Sequence, residues 1–133
     1  MSKLQQFQLC DATAVPADAA EHYYPITTSD GVANVGPFDQ MVFLVGTAAA
    51  PAGGINMVFG VQVSPDGTNW YDAYIHNIAA AADKWTLAAT VTIVAQTAAA
   101  LFALSAAAPY VRLSVQNNAT NALAVTVWAI AKT

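Results

Sequence analysis

Between Gln40 and Ala131, apolar residues recur at every second position in short runs, and turn-forming residues close each run. Ile55, Met57, Phe59, Val61 and Val63 lie on one side of such a run, opposed by Asn56, Val58, Gly60, Gln62 and Ser64. Val111, Leu113 and Val115 alternate in the same way with Arg112, Ser114 and Gln116. A period of two is the signature of a strand with one buried and one wet side. It forbids a helix over the same residues, whose apolar stripe needs a period near 3.6.

Further strands are expected at Gln40–Thr47, Asn69–Ile75, from Thr90, from Ala100, and at Leu123–Ala131. A short strand around Tyr23–Thr28 fits the same pattern. Seven or eight short strands separated by turns point to an all-β, single antiparallel sandwich or jelly roll spanning residues 1–133. The last run differs from the others. Leu123, Val125 and Val127 are apolar on one side, and Trp128 and Ile130 on the other. Such a strand is either central or meets another subunit. Asn117–Asn121 is the expected hairpin loop before it. A short Ala-rich helix capped by Asn77, or a loop with one helical turn, is expected over Asn77–Trp85. Residues 1–20 are expected to form an edge strand or an extended arm, because Leu4, Phe7 and Leu9 are spaced too irregularly for a clean strand.

The turn in "VQVSPDGTNWYDAYI" has chemistry that can be read directly. Pro65 presets φ, Asp66 tolerates the bridge or left-handed region, and Gly67 takes positive φ at no steric cost. A type I turn closed by a glycine bulge is expected there, joining two antiparallel strands. The stretch departs from other motifs that use these residues. Sialidase-type Asp boxes place one residue between Asp and Gly and then repeat, whereas Asp66 and Gly67 are adjacent and unrepeated. A calcium loop needs several acidic oxygens at alternate positions, and only Asp66 and Asp72 are near. Trp70 and Tyr71 are a candidate exposed aromatic platform for stacking on sugar rings.

The surface must be poor in charge, because only 9% of residues are charged while 56% are hydrophobic. A soluble domain ordinarily carries about 25% charged residues. Charge keeps proteins apart in solution, so the deficit points to a surface covered by partners. Lys3, Lys84, Arg112 and Lys132 are the only cations, against eight acidic residues, for a net charge of −4. No basic cluster exists to displace phosphate counterions, so no nucleic acid is expected as a partner. The uncharged stretch between Lys84 and Arg112 is long enough to span a membrane as a helix. Its recurrent Thr and Gln residues, and its division into "TVTIVAQ" and "ALFALS", read instead as two strands, so no membrane is expected either. "MSKLQQFQLCD" lacks the apolar centre of a signal peptide, so the expected protein is made and used without secretion, and "NAT" at Asn118 carries no glycan.

Catalytic patterns are missing. His22 and His76 stand apart, without metal-ligand spacing. There is no nucleophile elbow and no glycine-rich phosphate loop opening a helix. Glu21 is the sole glutamate, so a carboxylate pair would need aspartates that sit mostly in turns. Cys10 is alone, which rules out an internal disulfide and points to inert packing. No enzyme activity, metal or cofactor is expected.

The pairing of "VQVSPDGTNWYDA" with the late "PYVRLSVQNNATNALAVTVWAIAK" resembles small β-sandwich proteins of tailed bacteriophages. The resemblance runs from Val61 to Thr133, and the N-terminal half carries no motif of that group. It implies a structural protein of the particle, in the first place a head decoration or cement protein made in the host cytoplasm. Such a protein binds the outer surface of the major capsid protein lattice and stabilises the head. It also implies contacts with the chain's own copies, as a homotrimer. Many small contacts on one shell add up through multivalency. Leu4, Phe7 and Leu9 are then the expected arm contacts, with Tyr23 and Tyr24 as a second contact. Deleting residues 1–12 is expected to abolish particle binding and leave the domain folded. The alternative is a carbohydrate- or receptor-binding module of a phage fibre or tail, built on Trp70 and Tyr71.

Overall fold

The computed structural model describes residues 4–28, 31–32, 35, 38–78, 86–105 and 108–132. Thirteen strands lie among them: β1 (Leu4–Val15), β2 (Glu21–Pro25), β3 (Thr27–Thr28), β4 (Gly31–Val32), β5 (Gln40–Thr47), β6 (Met57–Ser64), β7 (Tyr71–Ala73), β8 (Ile75–Asn77), β9 (Thr86–Ala88), β10 (Val91–Ile93), β11 (Ala98–Leu104), β12 (Tyr110–Asn117) and β13 (Leu123–Lys132). Six form one sheet in the order β1-β13-β5-β11-β8-β9. A second sheet runs β10-β6-β12-β2, with β7 also paired to β6, and β3 and β4 make a small separate ladder. Every pairing is antiparallel.

The two large sheets face each other as a sandwich, and the alternation seen in the sequence sorts side chains between them. Phe43, Phe102 and Phe59 meet at the centre. Phe43 and Phe102 stack at 4.8 Å between ring centroids within the first sheet, and Phe59 reaches Phe102 across the layers at 6.1 Å. Val111, Leu113 and Val115 of β12 and Val125, Val127 and Ala129 of β13 complete the two inner faces.

The strand count exceeds the expected seven or eight because one run divides between the sheets and because the short β3, β4 and β9 add to the count. Asn69–Ile75 was expected as one strand. Tyr71–Ala73 pairs with β6 in the second sheet, whereas Ile75–Asn77 pairs with β11 in the first. Asn117–Asn121 is not a hairpin loop, because β12 and β13 belong to different sheets. The buried Asn117 holds this crossing. Its Nδ2 donates to the carbonyls of Val15 and Asn121, both at 3.0 Å, and its Oδ1 accepts from the Ala119 amide at 3.0 Å. The helical turn expected over Asn77–Trp85 falls mostly outside the described residues, and Asn77 itself ends a strand. No described helix is long and apolar enough to cross a membrane.

β1 explains the irregular spacing near the start of the chain. It pairs along its length with β13, but the register shifts between Gln8 and Cys10 and again between Cys10 and Thr13. Each shift inserts one extra residue, and each reverses which side faces inward. Phe7, Cys10 and Val15 therefore all reach the core. Ala12, at φ 47°, takes up the second bulge, and its amide donates to Thr126 Oγ1 at 3.0 Å. The segment is an edge strand bonded to its own chain.

Candidate functional site

The outer side of the second sheet gathers residues that lie far apart in sequence. Register places Arg112 of β12 opposite Gln62 of β6, and Gln62 opposite Asp72 of β7. Arg112 Nε donates to Gln62 Oε1 at 2.8 Å, and Gln62 Nε2 donates to Asp72 Oδ1 at 2.9 Å. Tyr23, on the neighbouring β2, puts its ring 3.8 Å from the Arg112 guanidinium carbon, and the Trp70 ring lies 4.4 Å from it. Arg112 thus lies against both aromatic faces, an arrangement in which cation–π attraction orients all three side chains. The Tyr23 hydroxyl donates to Glu21 Oε2 at 2.5 Å. That bond holds the phenol in its neutral form and pushes its pKa up. A ribbon of paired polar and aromatic groups therefore crosses four strands, with Glu21 and Asp72 at its ends balancing the arginine.

The β6–β7 loop positions Trp70. Strand pairing resumes only at Val63 and Tyr71, so the loop is wider than the expected tight turn. Gly67 does adopt the left-handed region, at φ 78°. The loop is organised around Asp66, whose carboxylate accepts from the Asn69 and Thr68 amides at 2.9 Å each and from Asn69 Nδ2 at 2.8 Å. These donors hold its carboxyl well below the usual carboxylate range. Ser64 Oγ accepts from the Gly67 amide at 2.8 Å and closes the other side.

The structure separates residues that stand side by side in the sequence. Tyr23 joins the ribbon while Tyr24 packs against the core, since neighbours on a strand face opposite ways. Trp70 belongs to the ribbon, whereas Tyr71, 62% exposed, pairs with Val63 on the other side of the strand and does not extend a platform with it. Phe7 is only 7% exposed and meets Phe38 edge-on at 6.2 Å, so it serves the core rather than a contact. Leu9 is half-buried at the first bulge, and Leu4 stands 71% exposed at the sheet edge. The sequence alone did not join Arg112, Gln62 and Asp72 into one site. A lone arginine on a wet strand face was a visible signal, but its partners depend on register.

A second surface lies on the outer side of the six-stranded sheet. Trp128 of β13 is 36% exposed beside Leu44 of β5, its register partner. A shallow trough of about 400 Å³ runs beside them over Gly46, Ala98, Ala99 and Ala100. β13 therefore carries large apolar residues on both sides, as its sequence indicates, but among the described residues only its inner side is fully buried.

Among the described residues, no group of three or more His, Cys, Asp or Glu side chains is placed to hold a metal ion. His22 pairs with Asp18 at 3.0 Å, and that bond lowers the Asp18 pKa. Cys10 is buried, and burial pushes its thiol up to about 11, an unreactive state.

No known family profile and no curated protein matches the chain in sequence. Solved structures do match in shape. The SPBc2 prophage-derived protein YomS aligns over 100% of this chain and 96% of its own, at 12% identity and a TM-score of 0.64. A Bacillus endospore appendage pilus structure aligns over 100% and 90%, at 13% identity and a TM-score of 0.49. The CBM22-1–GH10 portion of Clostridium thermocellum xylanase 10B, solved with xylohexaose, aligns over 96% of this chain and 26% of its own, at 12% identity and a TM-score of 0.45. At such identities the likeness to YomS is one of fold.

Proposed function

We propose that this chain is a structural protein of a phage particle, a decoration protein that binds the outer surface of the major capsid protein lattice. The observation that carries the reading is the ribbon on the second sheet, where Tyr23 on β2 and Trp70 at the end of the β6–β7 loop bracket Arg112 of β12. Aromatic residues and arginine are the commonest anchors of protein interfaces. Here they are ordered in advance, so docking loses little side-chain entropy. The end-to-end fold likeness to a prophage-derived protein supports the same reading, as does the charge-poor composition. The reading assigns the chain no reaction and no cofactor.

A carbohydrate-binding role for the same ribbon has one feature against it. Arg112 already occupies one face of the Tyr23 ring and one of the Trp70 ring, which leaves at most one face of each for a sugar to stack on. Mass spectrometry of purified particles, counting this chain against the most abundant shell protein, tests the proposal. A ratio of one, or of one per few shell subunits, is the expected result. A few to a few dozen copies would move the chain to a tail, connector or fibre. Complete absence would make it a free binding module.

A further inference from the structure

We infer that two copies of this chain pack face to face through the outer sides of their six-stranded sheets, each copy seating its Trp128 in the trough of the other. The inference deepens the particle reading above by naming the surface through which copies meet, and its geometry stands apart from that reading. β13 supplies the first argument. It is flanked by β1 and β5, and its inner side is sealed by the core, yet its outer side also carries two large apolar residues, the exposed Trp128 and the half-buried Ile130. Trp128 keeps 36% of its surface exposed there. A strand apolar on both sides, with one side uncovered, is a strand that loses water when something docks on it.

Charge selects the occupant. Across the centre of this face, register aligns Val42, Leu44 and Gly46 with Ile130, Trp128 and Thr126, and none is ionisable. Gln6 and Gln8 of β1 continue the face beside Ile130 and Trp128, again without charge. Lys132 lies at one end, opposite Gln40. A charged partner would find no counter-charge here and would lose its hydration. A second copy brings an equally uncharged face, with no like charges opposed at its centre.

Shape points the same way. One part of the face projects, at Trp128, and the part beside it is hollow, over Gly46 and Ala98–Ala100. A two-fold axis between projection and hollow seats both tryptophans at once, which is the self-complementarity an isologous interface requires. The area is sufficient. Four strands spaced about 4.8 Å apart and about 26 Å long give roughly 500 Å² per copy, so a pair buries about 1,000 Å², the lower limit for a specific interface. Packed sheets of this kind sit about 10 Å apart, and the small alanine and glycine side chains permit that approach. The pairing is two-fold, in place of the trimer implied by the phage resemblance.

Sedimentation equilibrium and native mass spectrometry of the purified chain test the inference, with circular dichroism confirming that each variant is folded. The wild-type chain is expected to be a dimer. Trp128→Glu and Ala100→Glu each bury an unpaired carboxylate in the interface and are expected to weaken the dimer about a hundred-fold or more. Both positions are exposed in the single chain, so the fold tolerates them. Val94→Glu, at an exposed residue outside the face, should leave the dimer intact. A wild-type monomer, a trimer, or dimers that persist in both interface variants would overturn the proposal. Counting copies on particles is independent of this result. A dimer absent from particles sinks the decoration role alone, and an abundant particle component that is monomeric when purified sinks the dimer alone.

Discussion

Asn117 carries more of the architecture than its size suggests. It is fully buried, and its amide group meets three backbone partners from three places: Val15 at the end of β1, Ala119 and Asn121. Asn117→Ala leaves the Val15 carbonyl unpaired in a buried site and removes two part-buried bonds, and is expected to cost about 2–4 kcal/mol of folding stability, measurable by urea denaturation. Asp66 behaves differently because it sits at the surface. Its folded pKa is depressed by the Asn69 and Thr68 amides, so its contribution is present above the unfolded carboxylate value, about 3.9. That contribution is lost as pH falls below this value toward the folded one. The melting temperature of Asp66→Ala is therefore expected to lie furthest below wild type near neutrality. The gap should close progressively on acidification below pH of about 4. A gap that does not depend on pH would mean the carboxylate charge is not what organises the loop.

At the scale of elements, β1 makes the sharpest prediction. As an arm it would leave Cys10 accessible, but as an edge strand it buries the thiol beneath two bulges. Native protein is expected to react with a thiol reagent at pH 8 more than about a hundred-fold slower than unfolded protein, given the raised pKa. Phe7→Ala removes an aromatic ring from under the same strand, costs about 3 kcal/mol, and should speed the labelling. Deleting residues 1–12 removes Phe7 and Cys10 from the core, so the truncated chain is expected to lose stability as well as any binding. Fast labelling of the native wild type would show that β1 leaves the sheet. How much of this was legible differs by element. β5, β12 and β13 were readable almost to the residue, β12 from its alternation and β5 and β13 from continuous apolar, β-branched runs closed by polar or turn residues. β1 was not, since a bulge resets the alternation and two bulges make a strand look like irregular coil. The division of Asn69–Ile75 between sheets was hidden for a related reason. A chain that bends from one layer to the next keeps its strand-like composition. The ribbon was half legible. Tyr23 and Trp70 were visible as aromatics, but strand pairing alone brings them to Arg112, nearly ninety residues further on from Tyr23.

For the molecule as a whole, successive strands mostly alternate between layers, and neighbours within a sheet are seldom neighbours in the chain. Alternation and turn spacing announced the sandwich, but not which residues would share an outer face, because the two outer sides are built from non-consecutive segments. The same topology governs how the protein comes into being. Leu4 lies opposite Lys132 and Val15 opposite Leu123, so β1 is synthesised long before the strand it pairs with. Until then Phe7 and its neighbours have no sheet to join, and the six-stranded layer stays open along β5. Pairing of this span is slow to find, on the order of milliseconds to seconds for all-β domains of high contact order. The emerging chain must therefore keep its apolar strands from its neighbours on the ribosome with very few charges to help it, and closure of β1 on β13 is the step that ends that exposure.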